Sequence, residues 1–284
     1  MSQLITEERN PASTDIDKLA TLQICQLMNR EDAQIARAVA KELPHVAAAV
    51  DRIVERLQRG GRLIYVGAGT SGRLGMLDAA ECPATFGTPP MLVQALIAGG
   101  EAALRGPVAG AEDSEEAGHV DLALLAVTAL DAVVGLSAAG NTLYVLGALA
   151  EAATREALTV AVTCNPNTPL EALAEIAIVP VVGPEVIAGS TRLKAATAQK
   201  MVLDMISTAT MVRLGKTLGN LMVDLQPALS AELRQRAVHI VAEAAQVPEA
   251  KAERLLDAAN GEARTAIVAH QAGISPEEAR QRGA

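Results

Sequence analysis

The chain has very few aromatic residues. Its 284 residues include two tyrosines, one phenylalanine and no tryptophan, although half of the residues are hydrophobic. The core must therefore be built from aliphatic side chains and alanine. Proteins that bind single-stranded nucleic acid usually stack the bases on aromatic rings, so we expect no site of that kind here.

Basic side chains are also in deficit. The 24 lysines and arginines face 33 aspartates and glutamates, which gives a net charge of −9. A nucleic-acid backbone would be repelled by this field, so we expect no nucleic-acid partner. The longest uncharged stretch, residues 132–150, is interrupted by Gly140-Asn141-Thr142. It therefore predicts a strand, a polar loop and a buried helix, and we expect no membrane span.

Cysteine and histidine are sparse and scattered. Cys25, Cys82 and Cys164 are odd in number and lack metal-ligand spacing, which favours free thiols in a reducing cytoplasm. We expect Cys25 and Cys164 to be small buried hydrophobic residues. The four histidines form no ligand pattern, so we expect no metal site. The N-terminus lacks a basic segment followed by an apolar one, so no signal peptide is expected.

The sequence does contain an alternation of apolar runs with helical segments. Runs rich in Val, Ile, Leu and Ala predict strands at residues 63–66, 92–97, 132–136, 158–163 and 176–182. Nearly continuous apolar runs are typical of strands buried on both faces. The pattern therefore predicts an α/β fold with a parallel sheet covered by helices on both sides.

Composition also suggests four segments. A polar arm leads into a long helix, capped by Asn29, that we expect to run to Gly60-Gly61. Ser275 and Glu278 predict a capping box near the C-terminus. The predicted segments are an arm with the start of the long helix at 1–45, the α/β domain at 46–220, a linking helix at 221–246 and a small helical domain at 247–284.

The loop after the first strand carries the densest set of candidate functional residues. Gly67, Gly69 and Gly72 let the backbone turn sharply and approach a ligand closely. Thr70 and Ser71 add hydroxyls at the positive end of the following helix, which predicts a phosphate site. The same glycines match the dinucleotide pattern G-x-G-x-x-G, but no acidic residue follows the second strand at the required spacing. A glycine turn that only packs a helix on a strand is the third interpretation.

Two further polar loops precede helices in a similar way. The third strand leads into a loop that contains Ser137, Gly140 and Thr142. A later segment has Ser190 or Thr191 as a predicted helix cap, with the cation Lys194 beside it. Because loops at the carboxyl ends of parallel strands meet at one edge, we expect them to converge on one ligand.

Two charged segments have two interpretations each. The acidic run at residues 110–116 is typical of a solvated, capped helix start, but it could also supply a catalytic carboxylate. In the mostly apolar helix that follows Lys194, the residues Thr197, Lys200 and Asp204 form one polar stripe. Its lysine and aspartate either pair with each other or serve a site.

Several sequence blocks, taken in order, identify a family. The blocks TEERNP, GAGTSGR, LDAAECP, AGAEDS, GSTRLKAATAQKMVLDMIST and GNLMVDL resemble those of the bacterial N-acetylmuramic acid 6-phosphate etherases, which contain a sugar isomerase domain and are related to the glucokinase regulatory protein. The similarity runs from about residue 5 to the C-terminus. The resemblance implies a five-stranded, Rossmann-like parallel sandwich with a small helical, UBA-like C-terminal domain. It also implies a cytoplasmic homodimer whose sites draw on both subunits.

The resemblance also implies a reaction and the residues that carry it out. In cell-wall sugar recycling, the etherases release D-lactate from N-acetylmuramic acid 6-phosphate with water and leave N-acetylglucosamine 6-phosphate, without a metal or redox cofactor. Glu81 and Glu112 match the family's catalytic glutamates. Apolar neighbours of Glu81 favour its protonated form, so we assign Glu81 as acid and Glu112 as base. The predicted substrate-binding residues are Thr70, Ser71, Gly72, Ser137, Gly140, Thr142, Ser190, Thr191 and Lys194.

The chain departs from the family pattern at several positions. Most etherases have serine, arginine and proline where this chain has Ala139, Asn141 and Leu143, so the second phosphate loop loses a hydroxyl and a cation. Asp204 replaces a usual asparagine, and residues 228–233 replace a block that could reach the partner's site. These changes keep two alternatives open: a non-catalytic regulator that binds sugar phosphates, and an etherase with altered substrate. Nothing in the chain matches the C-terminal catalytic segments of aldose-ketose isomerases, which makes that class less favoured.

Overall fold

A computed structural model describes residues 4–283 of the chain. Within these residues, five parallel strands form one sheet in the order β2-β1-β3-β4-β5. This confirms the predicted α/β fold with a five-stranded parallel sheet. The strands are β1 (Leu63–Gly67), β2 (Val93–Ile97), β3 (Ala132–Leu136), β4 (Leu158–Val162) and β5 (Ile176–Ile178).

Helices occupy most of the remaining chain. They are α1 (Thr21–Asp32), α2 (Ile35–Lys41), α3 (Leu43–Gln58), α4 (Gly69–Phe86), α5 (Ala102–Arg105), α6 (Glu115–Leu124), α7 (Leu143–Thr154), α8 (Pro169–Leu173), α9 (Lys194–Arg213), α10 (Ala231–Ala245), α11 (Glu249–Ala258), α12 (Ala263–Ala272) and α13 (Pro276–Gly283). Short 3-10 helices lie at Ile5–Glu7, Pro11–Ser13, Ile16–Lys18, Ala111–Asp113 and Pro227–Leu229. No helix in this described part of the chain is long and apolar enough to cross a membrane.

The chain divides into two compact units. The first consists of the chain up to Ala79 together with Met91–Thr210, and it contains the whole sheet. The second consists of Ala80–Pro90 and the chain from Met211 onward. The segment boundaries expected from composition, at residues 45, 220 and 246, stay predictions.

The first unit has the aliphatic core that the composition predicted. All residues of β1, β3 and β4 are buried, as expected for strands covered on both faces. The buried Tyr144 adds one aromatic ring, and its hydroxyl donates a 2.7 Å hydrogen bond to Asp121. The prediction of β5 was too long, because the strand ends at Ile178 and the N–H of Val179 donates to the side chain of Glu42 instead of a strand.

The prediction of one long helix from Asn29 was wrong. Asn29 lies inside α1, which begins at Thr21, and the helical segment is divided into α1, α2 and α3. Pro44 lies in the first turn of α3. Proline favours that position because its missing N–H is not needed there and its fixed φ suits a helix start.

The second unit is a helical bundle with its own core. Val241, Leu256 and Ile267, from α10, α11 and α12, are buried together. The predicted capping box is confirmed: Ser275 Oγ accepts a 3.2 Å hydrogen bond from the Glu278 N–H, and Glu278 Oε2 accepts a 2.9 Å hydrogen bond from the Ser275 N–H.

Helices α6 and α7 of the first unit touch through glycines. A Cβ atom at Gly118 would lie 1.8 Å from the carbonyl oxygen of Tyr144, and one at Gly147 would lie 2.0 Å from that of Glu115. Backbone atoms cannot move aside as a flexible side chain can. Only glycine therefore allows this helix pair to pack at the observed distance.

We predict that Gly118→Ala destabilises the protein by about 1–3 kcal/mol, because the clash outweighs the better helix propensity of alanine. Chemical denaturation followed by circular dichroism measures the effect. Gly106→Ala is the matched control, since Gly106 has extended backbone and a Cβ there meets nothing within 4 Å. Equal denaturation midpoints for the two variants would contradict the packing argument.

Candidate functional site

The end of strand β1 lies at the point where the order of the strands reverses. Gly67, its last residue, is in register with Ile97 of β2 on one side and with Leu136 of β3 on the other. In open α/β sheets, ligands bind outside the carboxyl ends of the strands at such a reversal. The glycine loop and the loop after β3 therefore start side by side, as the sequence predicted.

The glycines of the first loop determine how closely α4 approaches the sheet. A Cβ at Gly67 would lie 2.6 Å from the backbone nitrogen of Gly72, and a Cβ at Gly72 would lie 2.6 Å from Ile97 Cγ1. The first turn of α4 is thereby held against the end of β1. The Gly72 N–H donates to the carbonyl of Ala68 at 3.1 Å, but the N–H groups before it lack partners within the helix and lie at the positive end of the helix dipole, which suits an anion.

Ser71 is tied to a distant helix. Its hydroxyl donates a 2.8 Å hydrogen bond to Oε1 of Gln199 in α9, and both residues are buried. Thr70 beside it is half-buried. Gln199 was not predicted from the sequence, although a glutamine within an apolar helix was the available signal.

The loop after β3 brings together the three residues predicted there. Ser137 Oγ lies 2.7 Å from Thr142 Oγ1 and accepts a 2.9 Å hydrogen bond from the Gly140 N–H. Gly140 has a φ of +74°, and a Cβ there would lie 2.5 Å from the side chain of Thr168. The loop is thus a compact polar turn that requires glycine at its tip.

The N-terminal segment lies against the loop after β4. The Thr6 N–H donates to Asn165 Oδ1 at 3.2 Å, and Asn165 Nδ2 donates to Thr6 Oγ1 and to the carbonyl of Ala138, each at 2.9 Å. Asn165 is buried. The block TEERNP is therefore held within its own chain, at the same edge of the sheet as the two glycine loops.

The helix cap predicted at Ser190 or Thr191 was wrong. The first N–H groups of α9, those of Lys194 and Ala195, donate to the two carboxyl oxygens of Glu185 at 3.0 and 2.9 Å. A carboxylate at the positive end of a helix is favourable. Burial raises the pKa of Glu185, while the two amides act in the opposite direction.

Lys194, a predicted ligand-binding residue, lies in an internal ion pair. Its Nζ is buried and forms a 2.7 Å ion pair with Glu31. Burial alone would raise the pKa of Glu31, but the hydrogen bonds from Lys194 and Asn10 lower it. The ammonium is therefore engaged in the first unit's own structure, and its contact with the ligand stays a prediction, as do those of Ser190 and Thr191.

The two predicted catalytic glutamates are exposed. Glu81 lies in α4, and Glu112 lies in the 3-10 helix Ala111–Asp113. The apolar neighbours of Glu81 in sequence do not enclose it, which corrects the expected surroundings, and the acid and base roles stay predictions. Ser114 accepts a 3.1 Å hydrogen bond from the Ala117 N–H, so the acidic run also starts α6 with a capping residue.

Within the polar stripe on α9, Lys200 and Asp204 pair with each other. Lys200 Nζ lies 2.6 Å from Asp204 Oδ1, and both side chains are half-exposed. One turn further along, Ser207 donates a 2.9 Å hydrogen bond to Asp78, a largely buried carboxyl of α4 that Tyr65 also contacts. Burial raises the pKa of Asp78. Asp78 was not predicted from the sequence.

The cysteines are free thiols with different surroundings. Cys82 and Cys164 are buried, and burial raises the pKa of Cys164 to about 12. Cys25 is exposed, contrary to the prediction. Among residues 4–283, no cluster of three or more His, Cys, Asp and Glu side chains could hold a metal ion.

The second unit contains a groove of about 1160 Å³. Its charged side chains pair with one another: Arg264 donates to Asp224 at 3.0 Å, and Lys216 lies 3.2 Å from the same carboxylate. Arg234 pairs with Asp257 at 2.7 Å. Each of these cations has a carboxylate partner, although Lys216 and Arg264 share that of Asp224.

Comparison with known proteins gives close relatives over nearly the whole chain. An N-acetylmuramic acid 6-phosphate etherase of Rubrobacter xylanophilus is 54% identical over 282 residues, which are 99% of this chain and 93% of the relative. Etherases of Vibrio vulnificus and Symbiobacterium thermophilum are 51% and 54% identical, covering 99% and 96% of this chain and 93% and 91% of theirs.

Family models and solved structures agree with the observed fold. Residues 45–153 match the N-terminal SIS domain of the glucokinase regulatory protein, and residues 105–209 match the SIS domain. A Bacteroides fragilis protein described as a phosphosugar isomerase involved in capsule formation has a TM-score of 0.55 at 20% identity, covering 74% of this chain and all of its own. A Listeria monocytogenes protein described as a sugar-phosphate isomerase has a TM-score of 0.51 at 16% identity, covering 70% of this chain and 94% of its own.

We predict that Asn165→Ala costs about 1–3 kcal/mol, because it leaves buried partners of its amide unsatisfied. It also releases Thr6, so amide hydrogen exchange at residues 4–8 rises, which mass spectrometry measures. Asn167→Gly is the control, since Asn167 is exposed and its φ of +58° suits glycine. Unchanged exchange at residues 4–8 in Asn165→Ala would show that these hydrogen bonds do not hold the segment.

Proposed function

This chain belongs to the N-acetylmuramic acid 6-phosphate etherase family, and we propose that it cleaves the ether between D-lactate and C3 of N-acetylmuramic acid 6-phosphate, leaving N-acetylglucosamine 6-phosphate. The observation that carries this proposal is the identity of 54% over 99% of the chain with an etherase. The enzyme is a carbon–oxygen lyase. It acts in the cytoplasm, in the recycling of cell-wall sugars.

The mechanism follows from the low reactivity of an ether. An unactivated ether is stable in neutral water, but opening the sugar ring places C2 next to an aldehyde, which makes the C2 proton removable. A base takes that proton, the electron pair forms the C2–C3 double bond, and the C3–O bond breaks while an acid protonates the leaving lactate oxygen. Water then adds its oxygen at C3 and a proton at C2.

Two carboxylates with different roles carry out these reaction steps. One of Glu81 and Glu112 takes the C2 proton, and the other supplies the proton to the leaving oxygen and later accepts one from the incoming water. The exposure of both residues supports the proposal, since a substrate can reach them. The enzyme acts as a homodimer whose sites draw on both subunits.

The phosphate of the substrate binds at the strand ends. Thr70 and Ser71, in the first turn of α4, supply N–H groups at the positive end of the helix dipole, and Gly72 lets this turn lie close to the sheet. The loop after β3 supplies the compact turn of Ser137, Gly140 and Thr142. The register of Gly67 with Leu136, which starts both loops side by side, supports a shared phosphate site.

A second candidate function is a non-catalytic regulator that binds sugar phosphates. Asn141, where most etherases have arginine, is exposed at the tip of the β3 loop, and half-buried Ala139 lacks the usual hydroxyl. These residues lower the expected phosphate affinity without touching either glutamate. Measurement of D-lactate release separates the two functions.

We predict that the purified protein releases D-lactate from N-acetylmuramic acid 6-phosphate and, in D₂O, leaves deuterium at C2 of the sugar. Glu112→Gln and Glu81→Gln lower kcat by about 10²–10⁴, the usual loss when a general acid or base is removed. Calorimetry with N-acetylglucosamine 6-phosphate tests whether these variants still bind the product, as we expect.

Glu116→Gln is the matched control, because Glu116 is an exposed carboxylate in the first turn of α6, and its kcat stays at the wild-type value. Binding of sugar phosphates without any lactate release by the wild-type protein would favour the regulator. Full activity of Glu112→Gln or of Glu81→Gln would remove that residue from the mechanism.

A further inference from the structure

Gln199 carries an amide group that the chain satisfies only in part. Its side chain is 1% exposed, and Oε1 accepts the hydrogen bond from Ser71 Oγ at 2.8 Å. Its Nε2 has no hydrogen-bond partner among the described residues 4–283. Buried amide donors in folded proteins are nearly always paired, so a donor left over at a predicted binding site points to a ligand.

The position of this donor indicates what kind of ligand it takes. Ser71, to which Gln199 is bonded, lies in the first turn of the 18-residue helix α4. The N–H groups of that turn up to Ser71 lack intrahelical acceptors and carry partial positive charge. The spare N–H of Gln199 therefore adds to a group of donors. An anion that accepts several hydrogen bonds, such as a phosphate, satisfies all of them at once.

We propose that Gln199 is a specificity-determining residue whose Nε2 donates a hydrogen bond to the phosphate of the sugar substrate. This inference rests on the proposed function, because the phosphate is that of N-acetylmuramic acid 6-phosphate. It also refines the role of Ser71. The hydroxyl proton of Ser71 is used by Gln199 Oε1, so Ser71 orients the amide and Gln199 makes the contact.

Two variants together isolate this donor. Ser71→Ala breaks the hydrogen bond that joins α4 to α9 and leaves the N–H group of Gln199 in place, whereas Gln199→Met removes both. Gln199→Glu still accepts the hydrogen bond from Ser71, but it replaces the N–H group with a carboxylate that repels the phosphate. If Gln199 merely joined α9 to α4, Gln199→Met and Ser71→Ala would weaken the binding of sugar phosphates equally.

The test measures the Kd of the full-length protein for N-acetylglucosamine 6-phosphate by calorimetry, beside the KM and kcat for lactate release. We expect Gln199→Glu to weaken binding at least about 100-fold. Gln199→Met, which loses one hydrogen bond to a charged group, weakens it about 10-fold to 100-fold. KM rises more than kcat falls. Affinity for unphosphorylated N-acetylglucosamine is unchanged. Gln58→Glu, at an exposed position in α3, adds the same charge and binds like wild type.

Two results would overturn the inference. In the first, Gln199→Glu binds N-acetylglucosamine 6-phosphate as tightly as Gln58→Glu does. In the second, Ser71→Ala loses at least as much affinity for it as Gln199→Met does. The melting temperature shows whether each variant folds, and if Gln199→Glu does not fold, Gln199→Met decides. A wild-type protein that neither binds the sugar phosphate nor releases lactate contradicts the proposed function itself. If the wild-type protein is active and the Gln199 variants bind the sugar phosphate normally, only the role of Gln199 is contradicted.

Discussion

The close contact between the end of strand β1 and the first turn of helix α4 is the constraint on which the site depends. Side chains at Gly67 or Gly72 would place a Cβ 2.6 Å from existing atoms. Because both positions lack one, the N–H groups of α4 lie at the strand ends, next to the loop that follows β3. Packing accounts for Gly67 and Gly72, and a φ of +52° accounts for Gly69, so the glycine spacing needs no dinucleotide.

The fold could be predicted where the burial of an element determines its local sequence. Strands β1, β3 and β4 are buried on both faces, so each is an uninterrupted apolar run that identifies a parallel sheet. Two predictions failed where a side chain outside the local turn decided the structure. Glu185 caps α9 in place of the nearby hydroxyls, and Glu42 takes the N–H of Val179 at the end of β5.

The site was predictable at the level of loops and less so at the level of side chains. Glycine and hydroxyl residues after β1 and β3 mark both loops in the sequence. The partner of Ser71 lies 128 residues away, and that of Lys194 lies 163 residues away, distances over which local patterns carry no information. The surroundings of Glu81 were inferred from its neighbours in the chain, but exposure depends on neighbours in space.

The central claim is that the strand ends between β1 and β3 hold the phosphate of the sugar, so a crystal structure with N-acetylglucosamine 6-phosphate tests it most directly. The claim predicts a phosphate oxygen about 3 Å from Gln199 Nε2 and from N–H groups in the first turn of α4. A phosphate bound in the groove of the second unit, beside Lys216 and Arg264, with the strand ends empty, would contradict it.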